Sequence, residues 1–83
     1  MERKILYKKS VSKDLDNIHP EQRLKIVNRI EKDLTTDCNK GKRLAGEFEG
    51  LWRLRIGDYR VIYTFIPEGI LILRIAHRKE IYR

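Results

Sequence analysis

The hydrophobic pattern of residues 3–18 predicts one short strand followed by one short helix. Residues 3–7 carry an apolar side chain at Ile5 between flanking lysines, which indicates a short first strand. Three apolar residues then recur at positions i, i+4 and i+7, which places them on one stripe of a short helix. They are Val11, Leu15 and Ile18.

A second helix is predicted from Pro20 to about Leu34. Proline suits the first turn of a helix because its missing N–H is not needed there, and His19-Pro20 ends the preceding helix. The apolar residues of the second helix share one broad stripe. That stripe consists of Leu24, Val27, Ile30 and Leu34, with Ile26 at its edge.

From Leu51 onward the period changes from helical to alternating, which predicts β-strands. Gly57-Asp58 suits a two-residue hairpin turn, because glycine accepts the positive φ that such turns require. One face of this hairpin collects the apolar side chains, which are Trp52, Leu54, Ile56, Tyr59, Val61, Tyr63 and Phe65. We expect this face to form the core and to receive the two helices.

The opposite face of the hairpin, here called the arginine face, collects Arg53, Arg55 and Arg60. The predicted turn places Arg55 directly opposite Arg60. Like charges in directly opposed positions destabilise a sheet, so the pair indicates a surface that binds an anion. The alternative is that these arginines splay into water or pair with acidic side chains elsewhere.

A second hairpin adds arginines to this face. We expect a three-residue loop at residues 67–69, which pairs Ile66 with Ile70. The same parity directs Leu71, Leu73 and Ile75 to the core. Arg74 and Arg78 then lie on the arginine face, although a slip of one residue in the loop would reverse Arg74.

Length and charge narrow the fold and the class of partner. The 83 residues fit a single domain, 1–83, and the element order indicates an α+β fold. In that fold, two N-terminal helices pack on one face of a mainly antiparallel sheet of four to five strands.

The formal net charge of +7 favours a polyanionic partner, either nucleic acid or a strongly acidic protein. The sequence indicates no signal peptide or membrane span, and the one cysteine, Cys38, suits the reducing cytoplasm.

The candidate chemistry is phosphate binding, since arginine presents a planar fork of donors that matches a phosphate. We expect Arg53, Arg55 and Arg74 to bind RNA phosphates. The sequence has no carboxylate cluster typical of Mg²⁺, no Cys/His spacing typical of Zn²⁺ and no glycine-rich phosphate loop, so we expect no metal and no cofactor. Cleavage without metal is practicable for RNA, because its own 2′-hydroxyl can attack the adjacent phosphate, and DNA lacks that group.

Two segments carry a more specific signal: LAGEFEGLWRLRIGDYRVIY and the C-terminal AHRKEIYR. With them, essentially the whole chain resembles the RelE/ParE toxin superfamily, specifically its RelE-like branch. The resemblance implies the toxin half of a toxin–antitoxin pair. In the RelE branch this toxin is an endoribonuclease that cleaves mRNA in the ribosomal A site, and its partner is a small acidic RelB-like antitoxin that wraps the toxin.

The resemblance also implies roles for individual residues. Arg53 and Arg55 match the two basic residues on the strand before the turn, and Arg60 matches the arginine that stabilises phosphate charge. Arg78 matches the C-terminal arginine that acts as general acid to the leaving 5′-oxygen. Tyr82 matches the terminal tyrosine that engages the substrate near the cut.

The general base is left open. Some RelE toxins carry a lysine base where Arg53 and Arg55 stand, but arginine is a poor proton acceptor because its pKa exceeds about 12. His77 is the only nearby side chain in the sequence that titrates near neutrality. Its parity points toward the core beside Tyr59, so a structural and a catalytic role both remain open.

Two further functions remain as alternatives. A ParE-like toxin would inhibit DNA gyrase by binding it, without catalysis, although the retained arginine and terminal tyrosine argue against that function. A plain RNA- or ribosome-binding module would bind RNA in a salt-sensitive manner and would not cleave it.

Overall fold

The computed structural model describes residues 4–37, 39–44, 46 and 50–80, and these residues form two helices and five strands. In chain order the elements are β1 (Lys4–Tyr7), α1 (Val11–Asp16), α2 (Pro20–Thr36), β2 (Lys42–Arg43), β3 (Trp52–Ile56), β4 (Tyr59–Ile66) and β5 (Gly69–His77). The α+β class is confirmed. The hydrophobic pattern does not predict β2, because two residues are too few to show a period.

The five strands form one mixed sheet in the order β1-β5-β4-β3-β2. Three of the four neighbouring pairs are antiparallel, and β1 lies parallel to β5. The sheet is therefore mainly antiparallel, with a parallel pair at one edge that alternation along the chain does not reveal. The helical segment between β1 and the later strands is long enough to make the crossover that parallel neighbours need.

The β3–β4 hairpin has the predicted register. Ile56 lies opposite Tyr59, and Arg55 lies opposite Arg60. Gly57, in the turn between the strands, has a φ of 59°, in the left-handed region that glycine adopts without steric cost. Because directly opposed residues share a face, this register separates the apolar side chains from the arginines as expected.

The β4–β5 turn corrects the prediction. The three-residue loop at residues 67–69 is wrong, because Gly69 pairs directly with Ile66 and leaves a two-residue turn. Gly69 also pairs with Lys4 of β1, and only glycine fits there because a Cβ atom at residue 69 would overlap the backbone of Lys4. The changed register sends Ile70 and Ile72 to the core in place of Leu71 and Leu73.

A β-bulge then cancels the shift. Tyr63 pairs with Ile72, whereas Ile62 pairs with Arg74, so Leu73 is the additional residue in β5. Beyond the bulge, the residues of β5 again face the sides of the sheet that the sequence predicts. Arg74 therefore lies on the arginine face, although the turn that was expected to place it there is different.

Both helices pack on the apolar face of the sheet. The largest fully buried side chains come from the helices and from the central strands: Val11, Ile26, Ile30, Leu34, Val61, Tyr63, Ile70, Ile72 and Ile75. Burying an aliphatic side chain of this size stabilises the fold by about 2 kcal/mol. Trp52 extends the core, with its ring centroid 5.4 Å from that of Phe65 in an edge-on contact. Neither helix in the described residues is long and apolar enough to cross a membrane.

The buried stripe of α2 differs from the predicted one. Leu24 is 64% exposed, whereas Ile26, expected only at the edge, is 1% exposed. The stripe also contains Asp33, which is buried and forms ion pairs with Arg29 and with Lys40, each at 3.2 Å. A hydrophobicity pattern cannot detect a paired carboxylate on the buried side, so it rotates the predicted stripe toward Leu24.

Gly69→Ala is expected to lower the free energy of unfolding by about 3 kcal/mol or more, because both sterics and a φ of +148° oppose a side chain there. Gly50→Ala is the matched control. Gly50 also has a positive φ, of +89°, but no atom of the described residues lies within 4 Å of an added Cβ, so we expect a loss of about 1 kcal/mol. Urea denaturation measures both values, and equal losses would contradict the close approach of β1 to β5.

Candidate functional site

The arginine face lies on the side of the sheet that faces away from the helices. Two rows of directly opposed residues cross β3, β4 and β5: Arg53, Ile62 and Arg74 form one, and Arg55, Arg60 and Ala76 form the other. Neighbouring strands are about 4.8 Å apart, and residues i and i+2 of one strand are about 7 Å apart. The register therefore brings Arg53, Arg55 and Arg60 into one small area.

Arg60 lies at the centre of this positive charge. Burial lowers the pKa of Arg60, and the neighbouring charges of Arg55, Arg53 and Arg78 lower that pKa further. The carboxylate of Asp58 acts in the opposite direction. Since each of these charges is near enough to act on Arg60, the structure brings together four of the arginines that the sequence predicts for the site.

The β3–β4 turn fixes the guanidinium group of Arg60. Its Nη1 atom donates hydrogen bonds to the carbonyl oxygens of Gly57, at 2.9 Å, and Tyr59, at 3.0 Å. In the described part of the chain, its Nη2 and Nε hydrogens make no hydrogen bond. Arg60 is thus anchored through one nitrogen and can offer the others to an anion.

Arg78 reaches the same area from the end of β5. Its backbone N–H donates to the carbonyl oxygen of Asp58 at 2.8 Å, which ties the end of β5 to the β3–β4 turn. The side chain of Arg78 is exposed. The turn therefore positions both Arg60, in β4, and Arg78, directly after the end of β5.

Arg74 shares the face but lies apart from the other four arginines. Ile62 separates Arg74 from Arg53, so the two Cα atoms are about 10 Å apart. Arg74 is not among the charges that lower the pKa of Arg60. It lines a separate cleft of 320 Å³ beside α1, together with Asp14. A contact between Arg74 and RNA stays a prediction, at the margin of the site.

His77 lies on the other side of the sheet from the arginines. It is paired with Tyr59, and the two rings meet edge-on with centroids 5.6 Å apart. Its Nδ1 accepts a hydrogen bond from the backbone N–H of Lys79 at 3.2 Å. Both rings line a groove of 750 Å³ between α2 and the β3–β4 turn. The structure thus does not bring His77 together with Arg60 and Arg78, and Tyr82 lies outside the described residues.

Lys42 is a residue of this face that the sequence patterns miss. It lies in β2 directly opposite Arg53, so its exposed side chain belongs to the arginine face. Its place could be found only by recognising that the chain before β3 pairs with β3. A weak signal exists in the basic residues Lys40, Lys42 and Arg43, which run up to the start of the segment that resembles toxins.

The geometry suits an anion with several oxygens. Guanidinium groups bind phosphate through paired hydrogen bonds and keep their charge at any physiological pH. Among the described residues, no three His, Cys, Asp or Glu side chains lie close enough together to hold a metal ion. The positive charges that the described residues place on this face belong to arginine and lysine side chains.

Comparison with known proteins gives consistent matches. A model of the ParE toxin of type II toxin–antitoxin systems, parDE, matches residues 5–82. The toxin RelE3 of Methanocaldococcus jannaschii is 30% identical over 87 residues, which cover 95% of this chain and 94% of that protein.

Two solved structures resemble the fold. The first is the toxin–antitoxin complex RelBE2 of Mycobacterium tuberculosis, with a TM-score of 0.85, 27% identity and coverage of 94% of this chain and 100% of that one. The second is the RelB–RelE antitoxin–toxin complex of Methanococcus jannaschii, with a TM-score of 0.70, 25% identity and coverage of 93% and 94%.

Arg55→Gln is expected to raise the free energy of unfolding by about 0.5 kcal/mol at low salt, because it removes the like charge opposite Arg60. The gain should shrink as salt screens the repulsion. Arg74→Gln is the control, since it removes the same charge from the same face but outside the group around Arg60. Urea denaturation at two salt concentrations measures both, and an equal gain in the two variants would contradict the clustering.

Proposed function

The chain belongs to the RelE/ParE superfamily as the toxin of a type II toxin–antitoxin system, and on that premise we propose that it is an endoribonuclease that cleaves mRNA in the ribosomal A site. The observation that carries the proposal is the directly opposed pair Arg55 and Arg60, with the charges of Arg53 and Arg78 close to them. Such crowding costs stability in the free protein, and a bound phosphate would relieve it.

Cleavage would proceed by attack of the substrate's 2′-oxygen on the adjacent phosphorus. The bond from phosphorus to the 5′-oxygen breaks, and the product is a 2′,3′-cyclic phosphate, which water can open to a 3′-phosphate. Charge on the phosphate oxygens rises in the transition state, so fixed positive charges accelerate the step. Because the arginines supply that charge, the proposed reaction needs no metal ion and no cofactor.

The roles proposed for the arginines rest on the geometry and the resemblance together, and that of Tyr82 rests on the resemblance alone. Arg60, anchored to the turn, stabilises the transition state, and Arg53 and Arg55 bind the phosphate. Arg78 gives a proton to the departing 5′-oxygen, which as an alkoxide is basic enough to take one from a guanidinium group. Tyr82 engages the substrate near the cut.

The proton of the 2′-hydroxyl passes to water in this proposal. Arg53 and Arg55 are poor proton acceptors because the pKa of arginine exceeds about 12. His77 lies on the opposite side of the sheet, where it contacts Tyr59. We therefore give His77 no proton transfer.

We further propose that an acidic RelB-like antitoxin is the physiological partner. The relatives in the two solved complexes are bound to antitoxins named RelB or belonging to RelBE2. The net charge of +7 favours an acidic partner, which would also compete with RNA for the arginine face. The antitoxin would then neutralise the toxin by covering the site.

Inhibition of DNA gyrase is the second candidate, because the matching family model is that of a ParE toxin. A supercoiling assay with purified gyrase separates the two functions. We expect supercoiling to proceed unchanged when the toxin is present in excess. Inhibition of supercoiling together with uncut mRNA would replace the nuclease proposal with this one.

Arg60→Ala and Arg78→Ala are each expected to slow mRNA cleavage by about 10²–10³-fold, the usual cost of removing one donor from a developing oxyanion. Primer extension on mRNA from translating ribosomes measures the cuts. Both variants should give the far-ultraviolet circular dichroism spectrum of the unchanged protein, which shows that they fold.

Lys32→Ala is the control, because Lys32 is an exposed cation on α2 and lies away from the arginine face. It should cleave like the unchanged protein. If Arg78→Ala cuts as fast as Lys32→Ala, the assignment of Arg78 is wrong.

A further inference from the structure

A second pair of directly opposed cations lies beside the Arg55–Arg60 pair. β2 places Lys42 opposite Arg53, and directly opposed residues on one face have Cβ atoms about 4.5–5.5 Å apart. The arginine face thus carries two like-charged pairs on neighbouring rows. Each pair costs stability for the reason given above, and the register holds both in place.

The chain before β2 is fixed by contacts that leave it little freedom. The backbone N–H of Gly41 donates to the hydroxyl of Tyr63 at 3.2 Å. A Cβ at Gly41 would lie 2.6 Å from the carbonyl oxygen of Arg53, so only glycine fits there. Lys40 forms its ion pair with buried Asp33 at 3.2 Å. The position of Lys42 is therefore built into the fold.

The spacing of neighbouring rows on the arginine face matches a nucleic-acid backbone. Arg53 and Arg55 are separated by one residue in β3, so their Cα atoms are about 7 Å apart. This is close to the distance between successive phosphates of an extended single strand. A cavity of 210 Å³ lies beside them, lined by Lys40, Gly41, Lys42, Arg53, Leu54 and Arg55.

We propose that Lys42, beside Arg53, forms a second phosphate subsite, which binds the RNA phosphate next to the one that Arg53, Arg55 and Arg60 hold. The inference rests on the proposed function, because the scissile phosphate defines the neighbouring one. RNA is favoured over an acidic protein segment because the subsite lies one row from the proposed cleavage site, and the distance between rows is close to that between successive phosphates. Lys42 then extends the positive charge of the arginine face to the neighbouring phosphate.

The first test measures the affinity for a short single-stranded RNA that 2′-O-methyl groups protect from cleavage. Lys42→Gln should weaken binding about fivefold at physiological salt and make the slope of log affinity against log salt shallower by about 0.7, as expected for the loss of one phosphate contact. Lys32→Gln is the matched control and should bind with unchanged affinity and slope. Equal behaviour of the two variants would overturn the subsite.

The second test locates the phosphate. In two further RNAs, a neutral methylphosphonate replaces the phosphate on one or the other side of the scissile position. At one of these two positions, the neutral group should weaken binding of the RNA to the unchanged protein about as much as Lys42→Gln weakens binding of the unmodified RNA. The same neutral group should cause no further loss of affinity in the Lys42→Gln variant. If both replacements weaken the variant as much as the unchanged protein, Lys42 does not contact either phosphate.

These outcomes separate the subsite from the proposed function. Protected RNA is not cut, so its binding reports the subsite whether or not the protein is a nuclease. Cleavage that depends on Arg78 with no effect of Lys42→Gln on RNA binding leaves the nuclease and removes the subsite. A loss of affinity for the acidic antitoxin alone, with RNA binding unchanged, assigns Lys42 to the antitoxin interface and overturns the proposal.

Discussion

Burial of one face of the sheet is the constraint on which the rest of the structure depends. The side chains of Leu54, Ile56 and Val61 must face the helices, and the strand period of two residues then forces their neighbours outward. A slip of one residue would expose the core and bury the arginines. The apolar face therefore supplies the free energy that holds like charges opposite one another on the arginine face.

The turn between β3 and β4 holds Arg60 and Arg78 close together at the arginine face. It anchors Arg60 through two carbonyl oxygens and anchors the backbone of Arg78 through a third. Charges from two strands and a strand end thus meet in one area, and burial together with these neighbouring charges lowers the pKa of Arg60. Repulsion in the free protein and affinity for a phosphate have the same physical origin.

The alternation of apolar and polar residues is enough to predict those parts of the fold that depend on residues near one another in the sequence. The β3–β4 register, the apolar face and the common side of Arg53, Arg55 and Arg60 follow from it and are confirmed. The β4–β5 turn does not, because the position of Gly69 is decided by its close contact with β1. Long-range contacts of this kind leave no period in the sequence.

Buried polar groups and very short strands account for the other differences. The rotation of α2 depends on Asp33 and its two cations, and a pattern of apolar residues treats that carboxylate as exposed. Lys42 joins the arginine face only through the two-residue strand β2. The roles of Arg60 and Arg78 in cleavage stay proposals, which rest on the closeness of their charges.

The central claim is that four arginines from separate parts of the chain bind one phosphate. Nuclear magnetic resonance of the arginine side-chain Nε–Hε groups tests it most directly, during titration with a protected RNA dinucleotide that contains a single phosphate. The signals of Arg53, Arg55, Arg60 and Arg78 should shift together along one binding curve, while that of Arg29, on the helix side, should stay in place. Shifts spread equally over Arg29 and the four arginines, or four unrelated curves, would contradict the claim.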